Sequence, residues 1–521
     1  MSWQDTLDEL EHRKAIARQM GGPDKVKRQH DFGKLTVRER IDRLLDAGSF
    51  REIGSACGTG RYDAEGRLTD FTPANNVIGR GSIDARPVAV YGDDFTVRGG
   101  ASDGSVKEKH NHTEKMAAGL RIPLIRLIEG NGGGGSVKSI EKQGYANLPG
   151  SFASSNYTAL RMLNTVPVVT MALGSVAGRG AARLCASHYS LMVKDQSQIF
   201  IGGPALVAKL GQAQGKTYTK EELGGATIHA RNGTVDDVVA SEAEAFERTR
   251  RFLSYLPRSA HELPPRHSTG DDPARREEKL LSIIPKDSRK VYSMRAIMEA
   301  VADQGSFFEI GKLWGRSIIT GLVRLDGWPV AIIGGDPYHY AGSWTRASCE
   351  KLIRFVNLAQ TFHLPVVHLV DCPGFPIGLD AEKESTIRVA MRAMSAINLS
   401  TVPWCSILIR NVFGVAGSGH RPTAGYTTRY GWPSLKSGSL PFEGGIEVGY
   451  KADIEAAADP EAKMQEIRER LERLRSPLRT AESFALEEMI DPRDTRSYLC
   501  DFANVAQACL EPGEARNFYH P

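Results

Sequence analysis

The stretch Thr165–Ala182, TVPVVTMALGSVAGRGAA, decides how the rest of the chain is read. An apolar run over Val166–Leu173 gives way to small residues and then to Gly178-Arg179-Gly180. Val and Thr favour strands, and glycine lets a backbone come close to a ligand. From Gly180-Ala181-Ala182-Arg183-Leu184 onward the pattern turns helical. A strand that breaks at glycines and enters a helix aims main-chain N–H groups at one point, where they stabilise a developing anion. A glycine corner without a ligand has the same local pattern, since such corners are common in α/β folds.

The pattern occurs twice. Thr401–Gly419 reads TVPWCSILIRNVFGVAGSG, and laying Thr165 on Thr401 places Gly178 on Gly414 (401 − 165 = 236; 414 − 178 = 236). Upstream, Ile122-Pro123-Leu124-Ile125 matches Leu364-Pro365-Val366-Val367, which sets Glu129 on Asp371. Pro87–Gly92 matches Pro329–Gly334, and Gly48-Ser49-Phe50 with Glu52-Ile53-Gly54 returns as Gly305-Ser306-Phe307 with Glu309-Ile310-Gly311. Four matches in one order make the chain a duplicated α/β domain. The halves are residues 1–256 and 277–521, joined by a proline-rich, apolar-poor linker over 257–276.

A length of 521 residues suits two domains of this size. The net charge of +4 is weak for such a length, and argues neither for nucleic acid nor for an anionic membrane as partner. Seven scattered cysteines with no C-x-x-C pair disfavour a disulfide framework and a zinc ribbon, and suit a reducing compartment. The first residues, MSWQDTLDELEHRK, are charged and hold no apolar signal core. No apolar run reaches the roughly 20 residues of a membrane span. The expectation is a cytoplasmic protein with no membrane span.

Periodicity predicts a surface helix over Asp5–Met20 and a helix opened by Thr36, with Glu39 three residues later as in a capping box. Phe95–Ser102 reads as a strand end followed by glycines, Val106–Gly119 as a helix and Ile122–Ile128 as a strand. A helix is predicted to follow Gly202-Gly203-Pro204 and to end before Leu223-Gly224-Gly225-Ala226, and Glu242–Leu256 closes the first half as a helix. The second half repeats the layout, with strands over Ile318–Leu325, Trp328–Gly334 and Val366–Val370 and helices over Arg295–Ala302, Ala347–Phe362 and Ile387–Ser400. Asp459 caps a long charged helix that has Pro460 at its first position.

The chemistry-bearing residues are few. In the loop Gly130–Ser139, Ser136 and Val137 separate the last glycine from Lys138, which is not nucleotide P-loop spacing. A loop on which a ligand lies flat, at Gly132 and Gly133, fits better. His110 and His112 lack acidic or cysteine partners at metal-ligand spacing, so no metal is expected. Glu129 and Asp371 follow equivalent strands, each a general acid–base candidate or a cap at a strand end. No G-x-S-x-G elbow occurs. The remaining donors are main-chain N–H groups at two corners. Two corners suit two oxyanions, as in deprotonation or carboxylation next to a thioester.

The chain resembles the carboxyltransferase (β) subunits of biotin-dependent acyl-CoA carboxylases of the propionyl-CoA and methylcrotonyl-CoA type. The resemblance is carried by Leu35-Thr36-Val37-Arg38-Glu39-Arg40-Ile41, Phe95-Thr96-Val97 with Gly99-Gly100-Ala101-Ser102, and Phe200-Ile201-Gly202-Gly203-Pro204. It continues through Glu221-Glu222-Leu223-Gly224-Gly225-Ala226, Asp371-Cys372-Pro373-Gly374-Phe375 and Ile490-Asp491-Pro492-Arg493-Asp494-Thr495-Arg496. It implies two crotonase-like domains, acyl-CoA on the first and biotin on the second. It implies CO2 transfer from carboxybiotin to the α-carbon of an acyl-CoA. The thioester enolate oxygen would lie at Gly178-Arg179-Gly180 and the biotin ureido oxygen at Val415-Ala416, beside Gly414 and Ser418. The biotin anion would take the α-proton, so no side-chain base is needed. A site shared by opposed subunits implies an oligomer, a hexameric ring. No Met-Lys-Met biotinylation site and no ATP-grasp pattern occur, which implies a separate subunit with biotin carboxylase and biotin carrier parts.

The chain departs from that pattern where Arg179 follows Gly178, or one residue on in Arg179-Gly180, and where Val415 stands between Gly414 and Ala416. A positive φ at Val415 would be costly for a β-branched residue. Glu129-Gly130-Asn131-Gly132-Gly133-Gly134 replaces the usual Asp-Ser-Gly-Gly-Ala-Arg. These departures keep two alternatives open: a carboxyacyl-CoA decarboxylase subunit coupled to a membrane partner, and a catalytically silent paralogue that fills places in a ring.

Overall fold

The structure is a computed structural model that describes residues 3–101, 106–130, 141, 144–145, 157–213, 215–287, 289–515 and 519–521. It contains two compact units. One is Met1–Glu262 with Glu514–Tyr519 and Pro521; the other is Leu263–Gly513 with His520. The proline-rich stretch read as a linker is tied down within each unit. Ala260 N–H donates to Thr165 O at 2.8 Å, and His267 N–H donates to Gly327 O at 3.1 Å.

The strands of the first unit are β1 (Arg51–Ile53), β2 (Gly58–Tyr62), β3 (Leu68–Pro73), β4 (Asn76–Ile83), β5 (Arg86–Asp93), β6 (Leu124–Gly130), β7 (Val168–Ala177), β8 (Tyr189–Val193), β9 (Gln198–Phe200) and β10 (Asp237–Val239). Those of the second are β11 (Phe308–Ile310), β12 (Ile318–Leu325), β13 (Trp328–Gly335), β14 (Val366–Cys372), β15 (Trp404–Phe413), β16 (Thr427–Gly431), β17 (Lys436–Gly438) and β18 (Glu488–Met489). The first sheet runs β1-β4-β5-β6-β7-β8-β10 with β9 on β7, and the second runs β11-β12-β13-β14-β15-β16-β18 with β17 on β15. The order is the same in both. β1, β4 and β5 pair antiparallel, as do β11, β12 and β13, and the rest of each sheet is parallel. Parallel strands are covered on both faces, which is why β6, β7 and β14 are buried along almost their whole length and mostly apolar in sequence.

The duplication extends to polar detail. β7 and β15 are offset by 236 positions at both ends (404 − 168; 413 − 177). Arg38 pairs with Glu52 at 2.9 Å, and its counterpart Arg295 pairs with Glu309 at 2.6 Å. Lys109 Nζ donates to Asn76 O at 2.8 Å, and Lys351 Nζ to Ile318 O at 2.7 Å. Each unit has its own core, around Ile78, Ile128, Leu184 and Met192 in the first and Ile297, Val330, Leu369 and Trp432 in the second.

The helices follow the expected capping. Thr36 and Glu39 form a capping box on Val37–Leu44, and Asp459 Oδ1 accepts Ala462 N–H at 3.0 Å ahead of Pro460–Leu474. One expectation is corrected. Over the described part of Phe95–Ser102, residues 95–101, there is no strand end: β5 stops at Asp93, and Asp94 Oδ1 takes Thr96 N–H at 3.0 Å to turn the chain. The helix Pro204–Ala213 ends before Leu223 as expected, and Thr219 and Glu222 form a second capping box on a separate helix over Lys220–Gly224.

Candidate active site

Both glycine corners are built as the sequence suggests. At the end of β7, Gly178 has φ 59° and ψ −119°, a conformation open in practice only to glycine, and the helix Arg179–Cys185 follows at once. At the end of β15, Gly414 has φ 61° and the helix Gly414–Ser418 begins. Gly178 N–H is taken by Phe200 O at 3.1 Å, and the first bond of the corner helix runs from Ala182 N–H to Gly178 O at 3.0 Å. The N–H groups of Arg179, Gly180 and Ala181 therefore lie ahead of the first intrahelical acceptor, the arrangement that receives an anion.

The two departures from the family pattern fall where they do no harm to the backbone. The positive φ belongs to Gly178 and Gly414, and neither Arg179 nor Val415 shares it. Val415 is 55% exposed, so its isopropyl group turns outward. The Arg179 guanidinium is exposed and reaches Asn111 Oδ1 at 3.4 Å. Ala416 is buried at 1%, and Ser418 Oγ donates to Val415 O at 2.7 Å, which braces the second corner. Gly132 and Gly133 lie outside the described residues.

The strand-end carboxylates are held as ion pairs and do not act as acid or base candidates. Glu129 is fully buried, with Arg40 at 2.6 Å, Lys34 at 2.9 Å and Gln29 Nε2 at 2.9 Å. Asp371 is 1% exposed and receives Arg410, the Tyr292 hydroxyl at 2.8 Å and both Asn411 nitrogens. Each carboxylate has its oxygens committed, so neither can move a proton to or from a substrate.

A buried polar network under the first corner escapes the sequence reading. Arg183, on the corner helix, donates to Glu114 at 2.7 Å and to His110 Nε2 at 2.8 Å, and its guanidinium stacks over the Tyr91 ring. Arg126 from β6 shares Glu114 at 3.0 Å and also bonds Arg183 O and Ala186 O. An Arg only donates, so His110 Nε2 accepts and Nδ1–H donates to Tyr91 Oη at 2.9 Å. The Tyr91 hydroxyl then donates to Asp93 Oδ1 at 2.5 Å. Burial, reinforced by Arg183, holds His110 neutral with its pKa down to about 2. Burial also pushes the Asp93 carboxyl up to about 6. His110 is thus a hydrogen-bond relay and no metal ligand, and among the described residues no group of His, Cys, Asp and Glu could hold a metal. The signals that pointed here were Arg126 inside an apolar strand and the i, i+4 pair His110 and Glu114 on one helix face.

The carboxyl transferase domain description matches residues 28–515. The chain belongs to that family. It is 33% identical over 506 residues to the propionyl-CoA carboxylase carboxyltransferase subunit of Haloferax mediterranei, covering 96% of this chain and 95% of that one. It is 29% identical to the methylmalonyl-CoA decarboxylase subunit alpha of Veillonella parvula, covering 95% and 94%. The transcarboxylase 12S structure with methylmalonyl-coenzyme A bound superposes with a TM-score of 0.87 at 25% identity, covering 99% of this chain and 98% of that one. The chain is a carboxyltransferase of the biotin-dependent acyl-CoA carboxylase type, with the duplicated crotonase-like α/β fold that the motifs implied. No helix among the described residues is long and apolar enough to cross a membrane.

Proposed function

We propose that this chain transfers CO2 from carboxybiotin to the α-carbon of a propionyl-CoA-like acyl-CoA, with one oxyanion held at each corner. The observation that carries the reading is the second corner. A single strand–glycine–helix turn is common, but two at one register, each with its glycine at φ near 60°, supply two anion receivers for one reaction. The first receives the thioester enolate oxygen at the N–H groups of Arg179 and Gly180, and Gly178 sets their direction.

The build of the second corner supports biotin there. Gly414 turns the chain so that the amides of Val415 and Ala416 precede the first helical bond, and the outward Val415 side chain leaves them open. Bound there, carboxybiotin supplies the carbon that is transferred. The chain's own contribution is to hold two oxygens and to keep carboxylates away from the reacting atoms. Glu129 and Asp371, locked in ion pairs, offer no competing base. Binding that strengthens as charge develops on the enolate oxygen lowers the barrier, since the amides are already oriented.

The biotin arrives on a separate subunit that carries biotin carboxylase and biotin carrier parts, and the chain works in the cytoplasm as a homo-oligomeric ring, a hexamer. The first domain, 1–256, takes the acyl-CoA and the second, 277–521, the biotin, with 257–276 between them. Purified chain with free biotin is expected to decarboxylate methylmalonyl-CoA slowly and in proportion to biotin. No biotin-dependent turnover with a panel of carboxyacyl-CoAs would overturn the assignment. The similarity to a decarboxylase subunit supports a second reading, in which the same chemistry runs toward decarboxylation. Co-purification with a membrane-embedded partner would favour it over a soluble biotin carboxylase.

A further inference from the structure

The two corner helices are short. Arg179–Cys185 has seven residues and Gly414–Ser418 has five. Helices of one or two turns are marginal by themselves, and each of these follows or begins at a glycine that leaves the chain free to swing. The direction of the first amides must therefore be fixed from the far end, where the last carbonyls have no intrahelical donor.

At the first corner each of those last carbonyls is taken. Ala182 O accepts Ala186 N–H at 3.0 Å, and Cys185 O accepts Ser187 N–H at 2.8 Å. Leu184 O accepts the Ser187 hydroxyl at 2.7 Å. Arg183 O and, just past the helix, Ala186 O both accept from Arg126 Nη1, at 3.1 and 2.8 Å. Arg126 stands on β6 and is fully buried, so a sheet strand clamps the end of the helix. Glu114 holds the guanidinium in place, accepting from Nη2 at 3.0 Å.

The second corner is clamped from the same place in the repeat. β14 is offset from β6 by 242 positions at both ends (366 − 124; 372 − 130), which puts His368 where β6 has Arg126. His368 lies beside Ser406 on β15, as Arg126 lies beside Thr170 on β7. The Ser406 hydroxyl donates to His420 O at 2.8 Å, and His368 Nδ1–H donates to the same oxygen at 3.3 Å. The His420 ring turns back on the helix and donates Nδ1–H to Gly417 O at 2.6 Å. Burial holds both rings neutral, with the pKa down to about 3 for His368 and about 4 for His420. Each ring then has one N–H, and its carbonyl partner fixes that hydrogen on Nδ1.

The two clamps differ in chemistry and agree in place. One is a cation that shares Glu114 with Arg183, and the other is two neutral histidines with a serine. Each leaves one buried nitrogen without a hydrogen-bond partner, Arg126 Nε in the first and His420 Nε2 in the second. Buried polar atoms are rarely left so. Here the side chains go short while the helix carbonyls they serve are paired.

We propose that Arg126 and His368 are positioning residues of the two corners, a role that rests on the carboxyltransferase reading. Each acts from a central strand on the far end of the helix whose first amides hold an oxyanion. Arg126 serves the enolate. His368, through His420 and with Ser406, serves the biotin. A misplacement of about 1 Å in a positioned group costs as much as 10²-fold in rate, so a clamp remote from the reacting atoms has a kinetic signature.

The test is biotin-dependent decarboxylation of methylmalonyl-CoA by the purified full-length protein, with kcat, KM for methylmalonyl-CoA and the half-saturating biotin concentration read for each variant beside a thermal melt. Arg126→Met leaves Glu114 paired with Arg183 at 2.7 Å. It should lower kcat by about 10-fold to 10²-fold and leave half-saturating biotin unchanged, since the enolate oxygen is held only as charge develops. His368→Leu with Ser406→Ala should raise half-saturating biotin about tenfold and leave KM for methylmalonyl-CoA unchanged. His368→Asn, whose amide N–H stands in for Nδ1–H, should restore the biotin value. Lost packing alone lowers the melting temperature; it neither splits the constants by corner nor responds to that rescue. If Arg126→Met fails to fold, the second-corner variants decide. Unchanged constants in the folded variants, or the same loss in kcat and both half-saturations whichever corner is altered, overturn the positioning role and leave the carboxyltransferase reading standing. No turnover in the unmodified protein overturns that reading and the positioning role with it.

Discussion

At the residue scale the chemistry depends on two backbone angles. Gly178 and Gly414 sit at φ 59° and 61°, where a β-branched residue is all but forbidden. Gly178→Val and Gly414→Val are therefore expected to turn the corner amides away and to cut biotin-dependent decarboxylation of methylmalonyl-CoA by about 10²–10³ each, the usual loss for an oxyanion donor. Val415→Gly, one residue on, should leave the rate within about threefold, because that side chain points outward and its φ is ordinary. Kinetics alongside thermal melts separate lost amides from lost fold. A second residue-scale expectation concerns Glu129. Arg40→Met leaves that carboxylate buried with Lys34 and Gln29 as partners and takes the arginine from buried Glu242 as well, and should cost about 3–5 kcal/mol in chemical denaturation, part of which Glu129→Gln in the same chain should recover. The second unit solves the same problem from elsewhere: Arg410 stands on β15 where β7 has Gly174 (410 − 174 = 236). Gly174 has no room to follow, since a Cβ there would run into Glu129 Oε1.

At the scale of the element, the corner helix Arg179–Cys185 is anchored by the polar network of Arg183, His110, Tyr91 and Asp93. The Asp93 carboxyl, raised by burial to about 6, sets a pH dependence of known sign. Below its unfolded pKa near 4, Asp93 is protonated in both states and burial costs nothing extra. Between about pH 4 and 6 the unfolded chain ionises first, and the native state loses about 3 kcal/mol relative to it. Asp93→Asn cannot ionise. The difference in melting temperature between Asp93→Asn and the unmodified protein should thus move in favour of the variant from pH 4 to pH 7; a constant difference would show that Asp93 ionises freely in the fold. This network also marks the limit of what the sequence discloses. Both corners, the paired sheets and the capping box at Thr36 were legible because they rest on local pattern repeated at a fixed spacing. Partners such as Arg183 with Glu114, or Arg40 with Glu129, stand many positions apart and obey no period, so only the folded chain shows that these charges are interior. The same reason explains why the sequence alone leaves Glu129 and Asp371 as either acid–base candidates or strand-end caps and does not show their arginines.

At the scale of the whole molecule, the question is whether one chain supplies both corners of a working site. The proposed reading holds that it does not, and that the first corner of one subunit works with the second corner of another in a ring. The two glycine variants decide this. Take a subunit that carries Gly178→Val and one that carries Gly414→Val, each inactive alone, and reassemble them at equal amounts from mild denaturant. If a site is made by opposed subunits, each mixed pair contains one site with both corners intact and one with both broken. Random mixing then restores about a quarter of the unmodified activity, since half the pairs are mixed and each of those has one good site in two. If both corners of a site come from one chain, every site in the mixture keeps one broken corner and the activity stays at the level of the separate variants. Assembly of the mixture, followed by sedimentation, guards against a trivial failure to pair. Recovery near a quarter would also exclude a purely structural role for either corner, because a subunit with a defective fold could not lend its intact half.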